Sequence, residues 1–467
     1  MNHIHSKFRT SLAPLVTALL LAGCATSAVV DPSSLPLTPA AFKENANLAL
    51  QSSPVAPQAT GLWWEVFADS VLNDLVDKAS RNNTSVQVAA GRLLQARAIA
   101  GLTDANRFPQ VGLGAGATRQ NNSTTGNVAQ TVVSAGVNLS YEVDLFGKLS
   151  AASDAASLDA QSREALLRST QLLVQADVAQ TYLNLRALDT ERTLVHDTLQ
   201  AYRNTLRLTQ VRFKEGDVAE LDVVRVQSEV ASTESEALAL DQRRAVLEHA
   251  LAVLVGEVAS SFEVAPALWS TALPVVPAGV PSTVLTRRPD ISAAQSTMQA
   301  AQARVGVARA AWFPTFSLTA NGGHAAPDIK DLFKLSTQAW GVGTLLSLPL
   351  FDGGRREAGL QNANAELDIA LANYREQVLV AFRDVEDQLS AIRLLADQAQ
   401  AQSRSVASSS RATLLSDSRY RNGFVSQLEL LDAQRSELRN RRLALQVQTA
   451  QYLATVGLIR ALGGGWA

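Results

Sequence analysis

Asn82 to Pro109 aligns without gaps on Arg287 to Pro314, with Gly101 falling on Gly306 and Phe108-Pro109 on Phe313-Pro314. An offset of about 205 residues makes the chain one unit written twice, so each half is half of a single body. Both copies carry the same order of patterns: a helical stretch, two short alternating segments, then a long helical run.

The alternating segments set the class of structure. Val133, Ala135, Val137, Leu139, Tyr141 and Val143 are apolar, while Ser134, Gly136, Asn138, Ser140, Glu142 and Asp144 fill the other face. That is strand period, one face for oil and one for water. Val111, Leu113, Ala115 and Ala117 alternate with glycines in the partner segment, and a polar loop is expected from Thr118 to Gln130. The second copy offers Phe316, Leu318 and Ala320, then Trp340, Val342, Leu346, Leu348 and Leu350. Segments of about 10 residues suit tilted strands crossing a bilayer. Phe108, Phe146, Trp312, Phe313 and Phe351 cluster at one expected strand end and Trp340 towards the other, as in an interfacial aromatic girdle.

Between Gly147 and Gly216 there is no Gly or Pro for 68 residues. A helix of that length spans roughly 100 Å. Asp177, Arg186, Asp189 and Arg192 along its middle rule out a membrane span. Leu185, Leu188, Val195, Leu199, Tyr202, Leu206 and Phe213 instead trace a coiled-coil seam. Leu360 to Asn422 repeats the pattern. The return path is a helix over Asp217 to Val255, an irregular Pro-rich belt over Pro266 to Pro281, and a helix over Arg288 to Ala311.

Charge is nearly balanced at a formal -2, so nothing points to nucleic acid. At the N-terminus, Lys7 and Arg9 precede an apolar run from Leu12 to Ala22, the pattern of an export signal. It ends in Leu21-Ala22-Gly23-Cys24, which resembles a bacterial lipobox and makes Cys24, the chain's only cysteine, a candidate for lipidation. Ala25 in place of Asp resembles routing to the outer membrane, where several acyl chains anchor durably. No cofactor is expected beyond that covalent lipid, and no enzyme activity. Gly147-Lys148 lacks the upstream glycine of a phosphate loop, and the five histidines are scattered rather than clustered for metal or catalysis.

Four strands cannot close a barrel, and open edges are not tolerated in lipid, so the chain is expected to oligomerise. Trp63-Trp64 with Phe67, Tyr141-Glu142-Val143-Asp144-Leu145-Phe146-Gly147, Arg288-Pro289-Asp290, Pro349-Leu350-Phe351-Asp352-Gly353-Gly354-Arg355 and Arg419-Tyr420-Arg421-Asn422-Gly423 resemble the TolC-like outer-membrane efflux proteins. The likeness is to their lipoprotein branch and covers nearly the whole mature chain. It implies a mainly α fold with a membrane β part: a homotrimer whose twelve-stranded β-barrel in outer-membrane lipid continues into a twelve-helix periplasmic α-barrel. It further implies a passive exit duct docked to a periplasmic adaptor and an inner-membrane pump of the resistance-nodulation-division type. Polypeptide secretion through the same duct and a non-conducting lipid-anchored scaffold are the alternatives.

On this reading the chain divides into a lipoprotein signal peptide (1–23), a lipidated tether (24–61), first-repeat helices (62–107), a transmembrane β-hairpin (108–146) and a long periplasmic coiled-coil hairpin (147–257). An equatorial segment (258–286), the second-repeat helix (287–312), the second β-hairpin (313–351), the second coiled-coil hairpin (352–461) and a tail (462–467) follow. Gly216 and Gly423 are the expected hairpin turns. The resemblance assigns a gate to the tips, with Arg419, Tyr420, Arg421, Glu429 and Asp432 as candidates. Aligned through the tip glycines, Arg225 occupies in the first copy the place of Asp432 in the second, an asymmetry suited to pairing Arg with acid across the seam. Ordinary solvated coiled-coil charges are the alternative for Glu429 and Asp432. Val425 stands where some family members carry a further Arg.

Overall fold

The computed structural model describes residues 38–44, 62–121, 129–269, 273–277, 279 and 281–465; the signal segment, Cys24 and most of the tether lie outside them. A 3₁₀ turn (Trp63–Phe67) precedes helices α1 (Ser70–Asn82) and α2 (Thr84–Ala105), strands β1 (Gln110–Asn121) and β2 (Ala129–Val143), and helices α3 (Lys148–Lys214) and α4 (Glu220–Val255). A short helix α5 (Pro281–Arg287) leads into the second copy: α6 (Pro289–Ala310), β3 (Thr315–Ala326), β4 (Gln338–Ser347), α7 (Arg355–Arg421) and α8 (Gln427–Ala461). Helices α3 and α7 are each 67 residues long, so the duplication is conserved to the residue in its longest element. The chain forms two compact units. The described part of the first is Gly91–Glu164 with Ala293–Glu376; the second gathers Leu37–Ala90, Ala165–Ser292 and Gln377–Ala467.

In the first unit the strands form one antiparallel sheet in the order β1-β2-β3-β4. Its register aligns Leu113, Val137, Gly322 and Trp340 in one row and Val111, Leu139, Ala320 and Val342 in the next. Those rows make an apolar face in which Leu113, Trp340 and Val342 are 85%, 77% and 75% exposed. The opposite face carries Gly112, Asn138, Asn321 and Gly341, then Ser140, Thr319 and Gly343. A Cβ on Gly112 would lie 2.8 Å from Asn138 Oδ1, and one on Gly341 2.9 Å from Asn321 Oδ1. The amides of the inner strands thus rest over the glycines of the outer ones. The first hairpin pairs as far as Asn121↔Ala129, further than the loop expected from Thr118. β4 stops at Ser347, leaving Leu348 and Leu350 outside the ladder, because Pro349 has no N–H to donate.

Both strand-to-helix junctions use an aspartate. Asp144 accepts from the backbone of Leu149 (3.1 Å) and Ser150 (2.8 Å) to start α3, and Asp352 accepts from Gly354 (3.1 Å) and Arg356 (3.2 Å) to start α7. Each satisfies donors that a helix start leaves open. Phe146 stacks on Phe313 at 4.8 Å and the Arg356 guanidinium covers Trp312 at 4.9 Å.

In the second unit Trp63, Trp64 and Phe67 anchor the core with Leu72, Val76, Tyr182, Val255 and Tyr452. Asp69 caps α1, accepting from Val71 N at 3.0 Å and Leu72 N at 3.2 Å while its other oxygen accepts from the Tyr182 hydroxyl at 2.7 Å. Helices α1 and α2 are separated by Asn83 alone, whose Oδ1 accepts from Ser85 N (2.9 Å) while its Nδ2 donates to Leu254 O (2.8 Å). Within the stretch assigned to the tether, Phe42 is buried edge-on to Phe382 at 6.5 Å, and Arg393 pairs with Glu44 at 3.0 Å.

The mid-helix charges of α3 are clamps for the irregular belt. Arg186 donates to Ala265 O at 2.8 Å and to Asp189 at 3.2 Å; Asp189 also accepts from Arg244 of α4 at 2.8 Å and from Ala267 N at 3.3 Å. Arg244 donates to Val264 O, and Glu248 accepts from Val264 N at 2.8 Å. A chain segment with no secondary structure thereby has its polar backbone satisfied by buried side chains. The Arg288-Pro289-Asp290 motif has a similar job. Arg288, 8% exposed, binds Asp290 at 2.6 Å and Asp384 of α7 at 3.3 Å.

Candidate functional site: the two hairpin tips

Both tips end their long helix in the same way. Asp217 N donates to Arg212 O at 2.9 Å and Gly216 N to Phe213 O at 3.1 Å; Phe424 N donates to Arg419 O at 2.9 Å and Gly423 N to Tyr420 O at 3.0 Å. This is a Schellman closure, which needs a left-handed residue after the helix. Gly216 (φ +81°) and Gly423 (φ +76°) supply it, a conformation that costs glycine nothing.

The candidate residues separate into local pairs. Arg419 faces Glu429 across the second tip at 3.6 Å, with both side chains at least half exposed. Arg421 pairs with Asp417 one turn back at 3.0 Å. Arg225 and Asp432 do not meet within the chain: Arg225 lies 3.8 Å from Asp222 and Asp432 lies 3.2 Å from Arg435, each on its own helix. Exposed pairs of this kind are each worth about 0–1 kcal/mol. Tyr420 is different. It is 5% exposed, its ring lies 5.2 Å below the Arg212 guanidinium of α3, and its hydroxyl has no hydrogen-bond partner among the described residues.

Cross-repeat pairing of Arg with acid exists, but at other residues. Arg435 of α8 holds Glu229 of α4 through its Nε at 2.9 Å, and Arg442 bridges Glu191 of α3 at 2.7 Å and Glu236 of α4. Glu229 and Glu236 are one heptad apart, as are Arg435 and Arg442, so α4 and α8 run in parallel with matched charge rungs. That sevenfold spacing was the available signal in the sequence. Below the rungs, Tyr202 packs with Val226 and Leu431. Burial, with Glu229 nearby, pushes its hydroxyl up to about 12. The Gln427 side chain is buried and neither of its amide atoms has a hydrogen-bond partner among the described residues, and the same holds for the buried Oε1 of Gln434.

This geometry has close relatives. The profile of the family described as outer membrane efflux protein matches residues 75–257 and 280–464, once per copy of the repeat. The cation efflux system protein CusC of Escherichia coli O6:H1 is 32% identical over 458 residues, covering 97% of this chain and 98% of the relative. The antibiotic efflux pump outer membrane protein ArpC of Pseudomonas putida is 33% identical over 470 residues, covering 98% and 96%. Among solved structures, the outer membrane protein VceC of Vibrio cholerae superposes with a TM-score of 0.82 at 29% identity, covering 88% of this chain and all (100%) of that one. The fold is TolC-like and its place is the outer membrane. With both copies of the repeat matched and its length shared almost end to end, the chain belongs to the outer membrane efflux protein family.

Proposed function

We propose that the protein is the passive exit duct of a tripartite efflux system, working as a homotrimer with a periplasmic adaptor and an inner-membrane pump. The observation that carries this is the open four-stranded sheet, with one apolar face that is exposed on its outer strands and half-buried on its inner ones, and one face of Gly, Ser, Thr and Asn. An open edge in lipid leaves backbone groups unpaired at several kcal/mol each, and three copies joining β4 to β1 remove every edge in a twelve-stranded barrel. The small polar face then lines a lumen instead of filling it. Cys24 carries the lipid anchor.

The tips are the gate. Arg419–Glu429, Arg421–Asp417 and the contact of Arg212 with Tyr420 are weak, exposed or single links, so adaptor docking opens them without its own energy source. Threefold symmetry makes Asp432 a ring of carboxylates that focuses field in the neck and favours cations. CusC and ArpC are named for cation and antibiotic efflux, and we assign cargo choice to the pump rather than to a lumen of small neutral side chains.

Conductance of the purified trimer in planar bilayers tests this. Replacing Arg419 and Tyr420 together by Ala is expected to raise it. A preparation that never conducts, even with Tyr420→Ala or Asp432→Ala, overturns the duct.

A further inference from the structure

The connection from β3 to β4 is built unlike an ordinary polar loop. Residues 327–337 fold into two 3₁₀ turns, Ile329–Asp331 and Leu335–Thr337. Asp328 caps the first, accepting from Lys330 N at 3.1 Å, and Thr337 Oγ1 closes the segment by donating to Leu332 O at 2.7 Å. Leu332 is buried beneath it at 5% exposure. Yet Ile329, Phe333 and Leu335 point outwards at 69%, 76% and 86% exposure. Ordered turns that present three large apolar side chains are a surface, and apolar surfaces mark contacts.

The side of the sheet on which this surface lies follows from register. His324 shares its face of β3 with Phe316, Leu318 and Ala320, the apolar face, and pairs with Ala135 and Gln338. The Phe333 ring packs on the His324 ring at 5.8 Å, and His324 Nδ1 lies 3.3 Å from Thr337 Oγ1. The loop therefore leans over the apolar face, not over the glycine and asparagine face. It extends that face beyond Trp340, at the strand ends opposite the helices. Its charges are arranged for the same boundary. Lys334 is held by Asp331 at 2.5 Å, whereas the exposed Lys330 ammonium has no ion-pair partner among the described residues.

We propose that this loop is a lipid-docking element for the outer leaflet. Ile329, Phe333 and Leu335 enter the acyl region, and Lys330 reaches the anionic phosphate groups at its border. The proposal rests on the reading of the sheet as a barrel wall, with its apolar face already in lipid. Continuity with that face selects lipid as the occupant over a second protein chain.

The test is depth measurement by spin labels in the full-length chain, on a Cys24→Ser background that leaves one thiol. Single variants Phe333→Cys, Leu335→Cys and Lys330→Cys, with Val342→Cys as the barrel-wall control, are labelled and reconstituted into phosphatidylcholine vesicles containing phosphatidylglycerol. Labels at 333 and 335 are expected to collide with oxygen several-fold more often than with a water-soluble nickel chelate, and the label at 330 to show the reverse. Nickel access at 333 and 335 while 342 stays in lipid overturns the docking element and leaves the barrel standing. Access to neither reagent at 333 and 335 also overturns it, showing the loop packed against a second copy or across the mouth. Nickel access at 342 as well overturns the barrel reading itself. Positions 333 and 335 are scored separately, so poor folding of one variant, read by circular dichroism, leaves the other decisive.

Discussion

Tyr420 occupies the position held by Phe213 in the first copy, but Phe213 is 43% exposed whereas Tyr420 is buried together with its hydroxyl. A hydroxyl removed from water without a partner costs about 1–3 kcal/mol, so the ring stabilises this tip and the oxygen does not. Tyr420→Phe is expected to leave conductance unchanged and to raise stability towards denaturant by up to about 1 kcal/mol. A loss of stability would show that the hydroxyl acquires a partner in the assembly. Asp177 is a second residue held at some cost. Burial raises its carboxyl above the ordinary 3.8, partly opposed by Arg460. A folded value above the unfolded one means that the native state binds the proton more tightly. The contribution is complete below pH 3.8 and is lost as pH rises through the folded value. Asp177→Asn is therefore expected to be more stable than the native chain at neutral pH, with the advantage vanishing in acid; melting curves across that range measure it.

Elements with a strong period were legible in the sequence, and those held by long-range charge were not. Alternation from Val133 to Val143 and the run without Gly or Pro after Gly147 specify β2 and α3, because pleat and helical pitch leave no other way to sort those side chains. The tip glycines were readable for the same reason, as sites of obligatory backbone geometry. The belt was not. Arg186 and Asp189 in the middle of a helix look like solvated charges, and nothing local says that Arg244, 55 residues on from Asp189, completes their network. The α4 and α8 rungs also escaped: tip alignment pointed to Arg225 and Asp432, whereas helix packing brings Glu229 to Arg435. Removing one member of a buried charge network strands the others, at about 3–5 kcal/mol. Asp189→Ala is expected to cost that much and to open residues 262–269 to proteolysis. An intact belt in that variant would move its anchoring to the core around Trp269 and Tyr452, which touch at 4.4 Å.

For the whole molecule, the sheet's two free edges bear on how membrane insertion and lipid attachment divide the work. On the proposed reading, Cys24→Ser is expected to lose the lipid yet remain a membrane-embedded trimer, since a closed barrel would insert by its own apolar wall. A monomeric, water-soluble Cys24→Ser protein would contradict barrel closure.

β1, with 12 residues, and β4, with 10, are unlike edges, so in the proposed barrel copies would join head to tail, β4 of one to β1 of the next. A chain with Pro introduced into β4 keeps a sound β1 and still recruits a normal neighbour, but the ring it enters cannot close. Such an allele is expected to behave genetically as a poison, lowering efflux even beside an intact copy of the gene, whereas a deletion would be silent in the same strain.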